Sequence, residues 1–260
     1  MSDTVTALRA RNRNIQPLPS VTNSAFDRSV FSLMERIEYR RCTSGEDIED
    51  IYRLRYKAYR THGIVGERPD MVMHDALDET PNCYRYGVFL DDQLVSTVRL
   101  HHLTEAEPFA PTMSVFEDVL APRLEKGESF IDPSRLAVDP ELGSAMRTLP
   151  YITLRLAVIA NTFFDTTSCL CMIRDEHQAF YQRVFGSEAI AGPRPYASVN
   201  VLALLYESNI ERNMGGLLRR FPFFRSTALE QRLLFSRPAQ GELGPLTILP
   251  STRYNLSVAA

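Results

Sequence analysis

The 260-residue chain has no tryptophan, four cysteines, a formal charge of only -3, and no apolar run long enough to span a bilayer. Each shortage excludes something. Cys42, Cys83, Cys169 and Cys171 show neither CxxC spacing nor histidines in zinc-site register, which argues against a metal centre. The small net charge offers no global attraction for nucleic acid. Gly-x-Ser-x-Gly is absent, so no serine nucleophile is motivated, and no glycine-rich loop is present to cradle a phosphate. Residues 1–24 carry arginines but no apolar signal core, so the sequence predicts a cytoplasmic protein with no integral membrane segment.

What is present reads as a globular α/β chain. Hydrophobic residues make up 44% and charged residues 23%, enough to bury a core without disulfides or metals. The expected organisation is a flexible tail over 1–24, one domain over 25–236 and an extension over 237–260. Ile37–Cys42 reads as a strand and Ser44–Tyr59 as a helix with Ser44 as cap. Residues 62–82 have no period and form a long loop, a candidate lid. Tyr84–Leu90 and Leu94–Leu103 form a hairpin across Asp91-Asp92-Gln93. Ser114–Leu124 is a short helix. Glu128–Val138 is a strand broken at Pro133, which cannot donate to a ladder and implies a bulge or an opening in the sheet. Tyr151–Phe164 is apolar nearly all round and reads as a buried helix. Leu170–Ile173 is a strand, Glu176–Phe185 a helix, and Ser198–Leu205 a last strand before a helix over Glu207–Arg219. The Gly215-Gly216 pair reads as helix-end chemistry.

Several residues do not fit a bland core. Ile48, Ile51, Tyr52, Arg55 and Tyr59 share one helix face, so Arg55 either pairs with an acid, for which Asp75 and Asp78 are candidates, or snorkels to solvent. Arg99 shares a strand face with Val95, Thr97 and His101; it is either an inward-looking cation or a surface arginine on a half-exposed sheet. Asp132 and Ser134 fall on the face of Phe130, Leu136 and Val138, with Arg135 on the other. A carboxylate beside a splayed strand can orient an amine or take its proton, and free backbone N–H groups can steady an oxyanion; an ordinary bulge with a structural salt bridge is the other reading.

In order along residues 35–205, Leu54-Arg55 with Tyr59, Asp75 with Asp78, Val98-Arg99-Leu100, and Asp132-Pro133-Ser134-Arg135-Leu136-Ala137-Val138-Asp139 resemble the acyl-homoserine-lactone synthases and, more closely, the N-acyl amino acid synthases of the FeeM type. The resemblance implies a GNAT-like mixed α/β fold with a splayed central sheet. It also implies an acyl-carrier-protein thioester, an acyl-phosphopantetheine, as donor, with no bound cofactor.

Three departures refine it. Autoinducer synthases carry a tryptophan after the arginine helix, which this chain lacks, and a glutamate where it has Asp132. Relatives that use CoA have a glycine-rich pyrophosphate loop where this chain has Pro140–Arg147 with one glycine, so a carrier protein fits better as donor than free acyl-CoA. The implied reaction is transfer of a fatty acyl group to the α-amine of an amino acid. Asp132, Ser134 and Arg135 are expected at the chemistry, and Arg55, Tyr59, Asp75, Asp78 and Arg99 around the acceptor. An acyl pocket is expected from Ile152, Leu156, Phe163, Leu170 and Met172. Arg147, Arg155, Arg219, Arg220 and Arg225 are candidates to meet an acidic carrier. The alternatives are a lactone synthase, a CoA-dependent GNAT enzyme and a non-catalytic carrier-binding module.

Overall fold

A computed structural model describes residues 24–43, 45–143, 146–238, 244–245 and 247–252. The tail, the Ser44 cap, part of the Pro140–Arg147 segment and most of the C-terminal extension lie outside the described residues.

Seven strands form one sheet: β1 (Ile37–Arg41), β2 (Cys83–Leu90), β3 (Gln93–Leu103), β4 (Phe130–Val138), β5 (Ser168–Ile173), β6 (Glu188–Tyr196) and β7 (Val201–Asn209), in the order β1-β2-β3-β4-β5-β7-β6. The expected hairpin is β2–β3, turned by Asp91 and Asp92, both at positive φ. Left-handed conformation at two successive turn residues matches the twist of the paired strands, and aspartate tolerates it. All neighbouring strands are antiparallel except β4 and β5.

That parallel ladder is short. It registers Phe130 with Ser168 and Ile131 with Cys169, then stops before Pro133. Proline supplies no N–H to continue it, and the two strands part from there. The splay expected from Pro133 is thus a property of the fold.

Helices cover both faces. On one, α5 (Leu149–Phe164) and α8 (Ala228–Phe235) pack on a core that includes Val98, Leu100 and Ile131. On the other, α2 (Gly45–Thr61) and α3 (Met113–Leu124) lie over Arg99, His101, Leu103 and Phe130. The N-terminal helix α1 (Ala25–Met34) joins the α5 core, the four-residue α4 (Pro140–Gly143) comes directly after β4, and α6 (Gln178–Phe185) and α7 (Ile210–Arg220) flank β7.

The structure corrects three expectations. Strand β6 has no counterpart in the sequence pattern, because Pro193 and Pro195 interrupt it; the strand lies at the sheet edge, where unpaired N–H positions cost nothing. Gly215 and Gly216 sit inside α7 rather than at its end. Arg155, expected to face a carrier, is fully buried in α5, where Glu230 of α8 takes its guanidinium at 2.5 Å and 2.8 Å and the Phe223 carbonyl accepts from Nε. A buried guanidinium needs such saturation, and this one fastens α8 to α5.

Candidate active site: two cavities at the splayed strands

The charged residues singled out in the sequence converge on the α2 face. Arg55, with no exposed surface, donates to Asp78 Oδ1 at 2.8 Å. Arg99 approaches Asp78 Oδ2 at 3.1 Å, donates to Asp75 Oδ1 at 2.6 Å, and gives its Nε–H to Ser134 Oγ at 3.1 Å. Arg135 reaches Asp75 Oδ2 at 2.5 Å and Ser198 Oγ at 2.8 Å. Both arginine readings resolve to the inward one. Asp75 and Asp78 are spaced by three because they form a reciprocal capping box on a single 3-10 turn, Ala76–Glu79, which aims both carboxylates at the arginines.

Arg135 arrives there by an irregularity that alternation alone does not foresee. Its φ of +51° turns the chain left-handed within β4, and the β3–β4 register shifts between Thr97 and Arg99. Such a bulge cancels the strict alternation of faces, so Ser134 and Arg135 both engage the lattice. Tyr59 and Tyr196 lie close enough to Arg135 to influence its charge.

The carboxylates differ sharply in environment. Burial pushes Asp75 up, but Arg99 and Arg135 outweigh it and hold the carboxyl well below the usual range. Burial also raises Asp78, and Arg55 and Arg99 pull it down. Asp132 goes the other way. It is fully buried, and desolvation lifts it to about 6 although Thr112 donates both its N–H (3.0 Å) and its hydroxyl (2.7 Å) to Oδ2. Its Oδ1 has no hydrogen-bond partner among the described residues. The register-paired His101 is pushed down to about 4 by burial and the Arg99 charge, and its Nε2 lies 2.9 Å from the Leu77 carbonyl. That carbonyl only accepts, so Nε2 carries the proton.

Two cavities flank the segment 133–135. A narrow apolar cleft of about 30 Å³ lies on the α5 face, bounded by Pro133, by Cys169 and Cys171 of β5, by Tyr181 and Phe185 of α6, by Met214 and Leu217 of α7, and by Leu154, Ala157, Val158 and Asn161 of α5. A polar cavity of about 320 Å³ lies on the α2 face, lined by Ile64, Val65, Gly66, Arg68, Met73, His74, Asp75, Arg135 and residues 197–200. The aperiodic loop over 62–82 supplies most of that wall.

The residues expected to line an acyl pocket lie elsewhere than this cleft. Leu170 and Met172 belong to the core under α3, on the opposite face. Ile152 and Leu156 are fully buried and Phe163 packs with Phe164 and Phe235, so none of the five lines the cleft. The expected helix does line it, but with another face: Leu154, Ala157, Val158 and Asn161 recur at i, i+3, i+4, i+7 on the stripe beside the expected one. Helix α5 is apolar all round, so periodicity gives no orientation. Asp132 likewise lines neither cavity, because it shares the face of Phe130 under α3 and lies before the bulge that brings Ser134 and Arg135 round. His74, Arg68, Ser198 and Asn200 carry no distinguishing pattern in the sequence, although the long loop containing the first two is itself a signal.

An open mixed sheet that splays between its two parallel strands, with charged and apolar cavities on either side, defines a GNAT-like acyltransferase fold. Over residues 50–209, well over half its length, the chain matches the family described as N-acyl amino acid synthase FeeM, and it belongs to that family. It is accordingly an N-acyltransferase. The solved FeeM, an N-acyl amino acid synthase from uncultured soil microbes, shares 18% identity at a TM-score of 0.56, covering 68% of this chain and 92% of that one. BjaI, a CoA-dependent acyl-homoserine lactone synthase solved with SAM and isopentyl-CoA, shares 15% identity at a TM-score of 0.47 over 67% of this chain and 82% of that one. The AHL synthase LasI shares 16% at 0.41, over 66% and 89%. No curated protein sequence matches.

Proposed function

We propose that this enzyme transfers a fatty acyl group from an acyl-carrier-protein thioester to the α-amine of an amino acid. The observation that carries the acceptor half is a deficit of negative charge beside the polar cavity. Among the described residues Arg55, Arg99 and Arg135 face only Asp75 and Asp78, and Arg135, which lines the cavity, is 6% exposed with an Nε that has no hydrogen-bond partner there. A buried guanidinium left with an unused donor favours an anion, and a carboxylate matches its geometry. An amino acid whose carboxylate meets Arg135 holds its amine inside the same cavity.

The donor half rests on the narrow cleft across the sheet, whose apolar lining suits an alkyl chain that parts its walls. The thioester carbonyl then lies in the gap between β4 and β5, where strand N–H groups without a ladder partner can receive the developing oxyanion. Helix α7 supplies part of the cleft wall and also carries exposed Arg219 and Arg220, with Arg225 just beyond; an acidic carrier docking there would deliver its pantetheine arm to the cleft mouth. Ser134 orients Arg99, Arg55 and Asp78 brace the lattice from α2, and Tyr59 flanks Arg135. Asp132 ties Thr112, at the start of α3, to the strand that opens. Any proton it takes must reach it through intervening groups, because neither cavity touches it.

Mass spectrometry of lipid extracts from cells expressing the chain, against cells expressing Arg135→Ala, tests this. A new N-acyl amino acid that is absent from the variant is expected. An acyl lactone would instead identify S-adenosylmethionine as acceptor, and no new lipid would contradict the proposal.

A further inference from the structure

Before an amino acid can attack a thioester its ammonium must lose a proton, and the polar cavity offers few groups able to take one. The titratable and charged side chains facing that space are Arg68, His74, Asp75 and Arg135, with Tyr52 behind His74. Guanidiniums have no lone pair to offer. Both oxygens of Asp75 are engaged, Oδ1 by Arg99 and the Leu77 N–H and Oδ2 by Arg135, which makes it a weak base. Asp132 is fully buried away from the cavity.

His74 differs from all of these. Its ring is on the cavity wall and exposed, and neither ring nitrogen has a hydrogen-bond partner among the described residues. It is nevertheless held in place: the imidazole stacks on Tyr52 with centroids 5.1 Å apart and planes at 29°. Tyr52 is pinned in turn, because Arg85 Nη1 donates to its hydroxyl at 3.0 Å, and Met73, the residue before His74, donates its N–H to the Tyr52 carbonyl at 3.0 Å. An oriented imidazole with a free nitrogen, sharing a cavity with an unsatisfied arginine, has the arrangement a general base requires.

We infer that His74 is the base that frees the acceptor amine, a role that rests on reading this cavity as the acceptor site. The imidazole lone pair takes one proton from the ammonium. The released amine nitrogen forms the C–N bond to the thioester carbonyl carbon, and the C–S bond breaks with its electron pair going to sulfur. The imidazolium returns its proton to that sulfur as the thiol leaves. The surplus proton on the new amide nitrogen passes to solvent through the open cavity.

Purified wild type, His74→Gln and His74→Asn would be assayed with decanoyl-acyl-carrier protein and a mixture of the twenty amino acids, with N-acyl products read by mass spectrometry. Both variants should lose about 10²- to 10⁴-fold in kcat, keep their acceptor KM, and recover activity with added imidazole. Variants that retain wild-type kcat, or that imidazole does not rescue, would overturn the role, and so would a variant that lost only thermal stability, since stacking alone predicts that. If wild type itself made no N-acyl amino acid, the acceptor-site reading would fall and this role with it, an outcome distinct from active wild type with unaltered variants.

Discussion

The two cavities beside β4 are built on opposite principles. On the α5 face, cleft shape comes from interchangeable apolar side chains whose contribution is volume. On the α2 face, two of the lining residues, Asp75 and Arg135, belong to a lattice of three arginines and two aspartates, each fixed by a partner at hydrogen-bond distance. The contrast teaches where tolerance lies. An apolar wall can be re-cut a methylene at a time, whereas an ionic lattice fails as a unit, because removing one member strands a buried charge.

The largest effect is therefore expected at Arg55. Arg55→Met removes the partner that Asp78 meets with no exposed surface on either side, and should cost about 3–5 kcal/mol, read as a fall in urea midpoint or loss of soluble protein. A soluble variant of wild-type stability would break the comparison.

Asp75 and Asp132 sharpen it through pH. Asp132 has a folded value of about 6 against about 4 unfolded, so its contribution is fully present below pH 4 and is lost as pH rises through 6. That amounts to roughly 3 kcal/mol, and the stability of wild type relative to Asp132→Asn should fall by that order between those pH values. Asp75 is depressed, so its contribution is present above the unfolded value and disappears as pH falls through the folded one. Asp75→Asn should accordingly cost most near neutrality and least in acid. Parallel pH profiles for the two variants would contradict the assigned environments.

Smaller effects fall on the substrates. Arg135→Lys cannot reproduce the fork and should raise acceptor KM about 10- to 100-fold, the worth of a charge-assisted hydrogen bond, with donor KM unchanged. Ala157→Phe, filling the cleft, should shorten the preferred acyl chain, each excluded methylene being worth about 0.8 kcal/mol or roughly fourfold in kcat/KM.

The same contrast explains how much can be read from the sequence. The lattice is legible because charge on an apolar stripe is conspicuous: Arg55, Asp75, Asp78 and Arg99 stand out by type and spacing, and they do meet. The splay is legible in Pro133. Cleft walls are not, because a helix buried on all sides has no polar face to set its rotation, and the five residues named for an acyl pocket lie on a neighbouring stripe or on the other side of the sheet from this cleft. Asp132 stays on the face of Phe130 that alternation gives it, and only Arg135, which follows it at positive φ, is re-aimed by the bulge. His74 carries no pattern at all and becomes visible only when its loop is folded against Tyr52.

The most direct test is a matrix of kcat/KM values for wild type, Arg135→Lys and Ala157→Phe over acyl-carrier thioesters of increasing chain length and a panel of amino acids. The account predicts separable defects, with Arg135→Lys altering acceptor dependence at every chain length and Ala157→Phe altering chain-length dependence with every acceptor. If each substitution instead changed both axes, or if either changed the other's axis, the assignment of one cavity to each substrate would be wrong.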